Sequence, residues 1–201
     1  LLNQLTKFRK LFRTLFFLPY ISSMVSVAVI WKMIFNPAGG PLNTILQQIG
    51  AANPPQWLAS TKWALFAVVI VSVWKSCGYY MLIFLAGLQN IPDSLYESAA
   101  LDGASSLKRY FKITLPMITP SIFLNMVLVT INSFQVFDLV NVMTEGGPGM
   151  STNVLSYRIY YEGFKRMNMG YASSIAYFLF ALILAVTAVQ FLMQKHWVHY
   201  D

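Results

Sequence analysis

Four apolar runs, at about residues 15–35, 63–88, 117–142 and 171–193, constrain this chain more than any other feature. At about 1.5 Å of rise per residue, each is long enough as a helix to cross the roughly 30 Å of hydrocarbon in a bilayer. Lipid offers no partner to a backbone N–H or C=O, so a crossing segment must satisfy those groups within itself, and a helix does so. The expected fold is therefore all-α, a polytopic transmembrane helix bundle with four predicted spans in one domain over 1–201. Composition agrees: 57% of the residues are hydrophobic and 10% charged, where a soluble domain carries about 25% charged residues. None of the four runs is free of polar residues, which points to helices packed around something wet.

Between the second and third runs lies the stretch 92–116, PDSLYESAALDGASSLKRYFKITLP, with three of the seven acidic and three of the fourteen basic residues. It cannot lie in lipid. Its order reads as two short helices. Asp93 or Ser94 caps the first, through LYESAALD, and Gly103 follows as a stop that accepts left-handed backbone. Ser105 or Ser106 caps the second, through LKRYFKI, which is expected to end before Pro116. The result is an elbow beside the membrane, a shape that a soluble partner can grip. Ser94 and Glu97 also stand at the spacing of a capping box, in which Glu97 would reach back to the start of its own helix.

Basic residues set the orientation. With the first span running outward, Lys7, Arg9, Lys10, Arg13, Lys108, Arg109, Lys112 and Lys195 fall inside and Lys62, Arg158, Lys165 and Arg166 outside. Eight against four places the elbow and both termini in the cytoplasm. The net charge of +7 follows from this placement, because the basic residues gather at span ends and not in aromatic-interleaved patches, so no nucleic acid partner is expected. Cys77 is the single cysteine, inside an apolar run, and no disulfide framework exists. The chain opens in LLNQLTKFRKLFRT, without Met or signal peptide, and reads like the inside of a longer protein. In the first outer loop, LNTILQQIG is expected to form a short surface helix, with Trp57 and Trp63 as interfacial anchors.

Two runs carry a wet face. In the second, Ser72, Lys75, Ser76 and Tyr79 recur at i, i+3, i+4 and i+7, within about 100° of helix circumference. A lysine near mid-membrane costs a few kcal/mol unless it pairs or faces a cavity, so Lys75 is either a functional group or the structural partner of a residue such as Asp138. In the third run Asn125, Asn132 and Gln135 share one side, with Ser133, Asp138 and Asn141 further round and Phe134 and Phe137 interleaved. Amides, hydroxyls and aromatic faces suit a sugar, which wants directional hydrogen bonds to its hydroxyls and apolar stacking on its C–H face. The same groups also serve as interhelical bonds worth about 1 kcal/mol each. Catalysis finds no constellation: His196 and His199 sit in the tail, and no metal, nucleophile or nucleotide-cradling motif occurs.

The elbow's E-x-A-A-x-x-G-A, in Glu97, Ala99, Ala100, Gly103 and Ala104, with Ile113, Thr114, Leu115 and Pro116 after it, resembles the EAA loop of importer permeases of the ATP-binding-cassette superfamily. Thr144, Gly146, Gly147, Pro148 and Thr152, then Ile159, Tyr160, Gly163 and Phe164, then Gly170, Tyr171, Ala172 and Ser173 resemble signatures of carbohydrate permeases, specifically the maltose-type or glycerol-3-phosphate-type first subunit. The resemblance runs from Arg13 to the end. It implies a type I importer permease of six or more spans, with two or more ahead of Leu1, in the bacterial cytoplasmic membrane. Its partners would be a second related permease, two cytoplasmic ATPase subunits, an extracellular or periplasmic solute-binding protein and a carbohydrate. No cofactor is expected in this chain, since ATP and Mg belong to the ATPase.

By the same resemblance, Glu97, Ala99, Ala100, Asp102 and Gly103 form the ATPase-coupling loop, with Glu97 inserted into the ATPase cleft. Ser72, Lys75, Ser76, Tyr79, Asn132 and Ser133 line the substrate pathway, and the charge on Lys75 favours an acidic sugar or a sugar phosphate. Two alternatives stand beside this reading: an importer permease for a non-sugar solute, which would share the elbow but not the GGP and GYAS stretches, and a passive channel or structural subunit, which would not need the elbow.

Overall fold

A computed structural model describes residues 9–198, and every regular element among them is helical. Lys7 and His199 lie outside the described residues. The elements run α1 (Arg9–Ile21), α2 (Met24–Ile34), α3 (Pro41–Gln48), α4 (Ala64–Gln89), α5 (Asp93–Leu101), α6 (Ser106–Arg109), a π-helical turn (Tyr110–Thr114), α7 (Leu115–Met117), α8 (Thr119–Phe134), α9 (Asp138–Met143), α10 (Leu155–Tyr160), a second π-helical turn (Tyr161–Lys165) and α11 (Met169–Gln194). Helices α4 and α11 are 26 residues each, about 39 Å long and sufficient to span a bilayer. The α8–α9 segment, Thr119–Met143, makes a third span of 25 residues, interrupted at Gln135, Val136 and Phe137.

The first predicted span is not one helix. Helices α1 and α2 meet at 93°, so the described residues hold three crossing helices, or four if the bent pair counts as one. The run 15–35 is long and apolar enough for one span, but Pro19 removes one N–H from the last turn of α1, and the Ser22 hydroxyl bonds back to the Leu18 carbonyl at 2.9 Å. Such serine back-bonding favours a bend. Ser23 is then extended (φ −54°, ψ 129°), and α2 starts from it. Helix α1 lies directly on α4: a Cβ added at Gly78 would stand 1.8 Å from the Phe16 carbonyl oxygen, so only glycine permits this approach.

The tight core sits at one end of the bundle. Val27 and Ala28 from α2, Phe35 just after it, Ala67, Val68 and Val71 from α4, Leu139, Val140 and Met143 from α9, and Tyr157 from α10 pack into one cluster with Trp57. Trp57 is thus a core residue and not the interfacial anchor expected of it. The reason is a partner the sequence did not show, since its indole N–H donates to Asn43 Oδ1 on α3 at 2.8 Å and lets the ring be buried. Helix α3 is the short helix expected in this loop, with Pro41 in its first turn. Because residues of both loops join this cluster, the loops share one end of the bundle, and the 92–116 elbow, between α4 and α8, lies at the other. Large apolar side chains elsewhere, such as Phe178, Phe180 and Leu184 on α11, face outward, as helices bathed in lipid require.

Candidate functional site

Three places carry polar chemistry. The first is a cavity of about 290 Å³ where the α1–α2 bend, α4 and the α8–α9 break converge. Ser72, Lys75 and Ser76 line it from α4, Asn132 from the end of α8, Gln135 and Phe137 from the break, Asp138 from the start of α9, and Tyr20 and Met24 from either side of the bend. Four of the six pathway residues named from sequence, Ser72, Lys75, Ser76 and Asn132, are therefore brought together. Tyr79 and Ser133 are not among the lining residues. Tyr79 stacks on Tyr20 with ring centroids 4.5 Å apart, and the Ser133 hydroxyl donates to Val129 O of its own helix at 2.7 Å. Tyr80 takes the wall position instead, with its hydroxyl accepting from Asn132 Nδ2 at 3.1 Å and its carbonyl accepting from Asn125 Nδ2 at 3.3 Å.

Lys75 is 5% exposed and donates to the carbonyls of Pro19, Tyr20 and Ser22 at 2.9, 3.0 and 2.6 Å. An ammonium has three N–H donors, so the set is complete. Its partner is the broken end of α1 and not Asp138. The last carbonyls of any helix lack intrahelical donors and carry partial negative charge, which is where a cation is most favourable. Lys32 makes a similar contact, donating to Val142 O of α9 at 3.2 Å.

The second place is the elbow. Gly103 is left-handed (φ +71°), and the N–H groups of Gly103 and Ala104 return to the carbonyls of Ala100 and Ala99 at 3.1 and 2.9 Å, closing α5 as the sequence anticipated. The Ser105 side chain caps α6 through Lys108 N. Two expectations are corrected. The first helix is capped by neither Asp93 nor Ser94, since Pro92 holds the cap position and Asp93 is already helical. With Pro92 at the cap, Ser94 and Glu97 both lie inside the helix and Leu95 holds the third helical position, so the capping box that Ser94 would have headed is absent. The second helix also does not stop before Pro116: the π turn, in which Leu115 N bonds Tyr110 O, carries it into α7 with Pro116 near that short helix's start, where a missing N–H is tolerated.

Tyr96 and Thr114 share a 2.8 Å hydrogen bond that ties the two arms together. Glu97 is exposed and makes no hydrogen bond or ion pair among the described residues. Asp102 and Gly103 are exposed beside it, as are Ala100, Leu101 and Leu107, with Ala99 half-buried.

The third place, at the opposite end, was only partly legible. Thr152 is buried and fastens the GGP loop, sharing a 2.7 Å hydrogen bond with Thr144 and donating to Gly147 O at 2.8 Å. Glu162 in the second π turn is fully buried, paired with Arg158 at 2.5 Å and Arg166 at 3.3 Å. Two of the four outer cations, Arg158 and Arg166, thus share one buried carboxylate, which offsets one of their two positive charges. Their spacing, i−4 and i+4 about Glu162, was the available signal. Burial, with the negative charge of Glu145 next in importance, pushes the nearby Tyr157 phenol above its ordinary range.

Comparison with known proteins bears on these places together. The chain is 39% identical to the probable ABC transporter permease protein YesP of Bacillus subtilis, over 100% of this chain and 65% of that protein. It is 37% identical to the sn-glycerol-3-phosphate transport system permease protein UgpA of Brucella abortus, over 94% of this chain and 64% of that one. It therefore spans just under two thirds of the length of these curated relatives. Its fold is similar to a chain of a solved bacterial alginate ABC transporter in complex with an alginate pentasaccharide-bound periplasmic protein, with a TM-score of 0.86 and 26% identity over 96% of this chain and 68% of the other. The family model described as binding-protein-dependent transport system inner membrane component matches residues 2–198, and the chain belongs to that family.

Proposed function

We propose that this chain is a transmembrane permease subunit of an ATP-driven, binding-protein-dependent carbohydrate importer. The observation that carries the reading is the pairing of two features at different levels of one bundle. A polar cavity lined by hydroxyls, amides and aromatic rings opens beside a broken helix, and a closed elbow at the far end presents an uncommitted carboxylate, Glu97. Neutral hydrogen-bonding groups with aromatic faces suit a sugar. A rigid elbow bearing a free carboxylate and the exposed apolar residues Leu101, Leu107 and Phe111 suits a protein partner.

In this reading two cytoplasmic ATPase subunits grip the elbow of this chain and that of a second, related permease, and ATP with its Mg is held by the ATPase. A solute-binding protein delivers sugar at the outer end, where the GGP loop is fastened by Thr152. Ser72, Ser76, Tyr80 and Asn132 then offer hydrogen bonds to sugar hydroxyls, while Ala99, Ala100, Asp102 and Gly103 shape the elbow around Glu97. The kinship of relatives that carry glycerol phosphate or alginate, by their names, supports a hydroxylated cargo.

Purification of the affinity-tagged chain from its native membrane in mild detergent tests the assembly. Co-purifying ATPase and a sister permease, with ATP-dependent uptake of labelled sugar once reconstituted, is the expected result. A homo-oligomer that conducts sugar without ATP would mean a channel, and ATP-driven uptake of amino acids but not sugars would move the cargo to another class.

A further inference from the structure

We propose that the cavity takes an uncharged polyhydroxylated cargo and turns away carboxylate and phosphate groups, with Asp138 as the residue that discriminates; this rests on the reading of the chain as a sugar permease. The lining contains one basic residue, Lys75, and one acidic residue, Asp138. A lysine in a polar cavity is ordinarily taken as a seat for an anion, and the sequence pointed the same way. The geometry points to the reverse.

All three donors of Lys75 are engaged by the Pro19, Tyr20 and Ser22 carbonyls. An anion could gain a hydrogen bond from this ammonium only by stripping one from the end of α1, where no intrahelical N–H replaces it. The partial negative charge at the C-terminus of α1, equivalent to roughly half an electron, offsets much of what the ammonium projects into the cavity. Asp138 stands differently. It is exposed on the cavity wall and has no hydrogen bond or ion pair among the described residues. Its carboxylate is the uncommitted charge of the site. A carboxylate accepts strong hydrogen bonds from hydroxyls and repels a second anion in a partly desolvated space.

The remaining lining suits a neutral cargo. Ser72 and Ser76 offer hydroxyls and Gln135 an amide, and Tyr80, whose hydroxyl already accepts from Asn132, retains its own proton to donate. Tyr20 and Phe137 add aromatic rings to the lining, the kind of surface against which sugar C–H groups pack.

Equilibrium dialysis against the purified permease–ATPase complex, without the binding protein, removes that protein's own selectivity from the reading. The probes are labelled neutral di- and trisaccharides beside sn-glycerol 3-phosphate and uronate oligosaccharides. Wild type should hold at least one neutral probe about tenfold or more tightly over every anionic one, Asp138→Asn should lower that ratio about tenfold, and Asp138→Glu should preserve it. An unchanged thermal midpoint for Asp138→Asn excludes misfolding as the cause, and if that variant fails to assemble, the wild-type ratio and Asp138→Glu still decide. Tighter binding of an anionic probe by wild type, or a ratio indifferent to Asp138→Asn, overturns the proposal. Binding of no saccharide, neutral or charged, counts against the sugar reading itself and takes the proposal with it.

Discussion

The bend at Lys75 and the elbow at Glu97 handle a charge in opposite ways. At the bend, the ammonium is buried to 5% exposure and every donor is used on a backbone carbonyl of the same chain. At the elbow, the carboxylate is exposed, and the turn around it is completed by other means: Gly103 in the left-handed region, the Ser105 cap and the Tyr96 to Thr114 bond. A charge placed among helices in lipid is tolerated when the fold consumes it. A charge at the water edge costs little and can be held in reserve for a partner. The residue that most invited a functional reading from sequence is thus the one most occupied with structure.

Lys75→Met attacks the consumed side of this comparison and should have the largest effect on stability. It leaves the carbonyls of Pro19, Tyr20 and Ser22 without their donor. At about 1–3 kcal/mol for each orphaned group, partly relieved by water from the cavity, the net loss is about 3 kcal/mol. That corresponds to a fall of about 6–12 °C in the thermal midpoint of the purified complex. Lys75→Arg, which retains donors for the same carbonyls, should recover most of it. A Met variant as stable as wild type would show that the bend stands without its cation and would return Lys75 to the cargo.

Next in size is Gly103→Ala, which strains the elbow without touching Glu97. No atom lies within 4 Å of the added Cβ, so the cost is that of a left-handed backbone alone, about 1 kcal/mol. Differential scanning fluorimetry should register a fall of about 2–4 °C. A midpoint unmoved by this change would mean that the closing turn of α5 contributes nothing to holding the elbow's shape.

What the sequence made legible follows from the range of the forces involved. Helices α4 and α11 appear within two residues of the apolar runs that announced them, and Gly103 closes α5 as expected, because hydrocarbon burial and left-handed backbone are properties of a local stretch. The break in the first span is different. Pro19 and Ser22 weaken the helix locally, but the carbonyls released there are bonded by a lysine 53–56 residues further along the chain. Helical spacing placed Tyr79 on the wet face with Ser72 and Ser76, whereas the structure seats Tyr80 there, since the approach of α8 through Asn125 and Asn132 decides where the wall stands. Trp57 was legible as an aromatic at a membrane edge but not as a buried one, because its partner Asn43 lies in a separate helix.

Glu97→Gln should perturb the fold least of the three. With no hydrogen bond or ion pair of its own among the described residues, the side chain has nothing to lose within this chain, and an exposed substitution of this kind falls within about 0.5 kcal/mol. Its geometry and size are kept and only its charge is removed, so any loss must come from a partner that reads the charge. If Glu97 docks on the ATPase, exchanging a charge-assisted bond for a neutral one should weaken coupling about tenfold in ATP-driven uptake, while the thermal midpoint stays put. That split between an unmoved fold and a failing motor is the opposite of what Lys75→Met should give, where stability and uptake fall together. Uptake that persists unchanged in Glu97→Gln would make the carboxylate a bystander, and the force would then have to enter through the exposed apolar residues Leu101 and Leu107 on either side of Gly103.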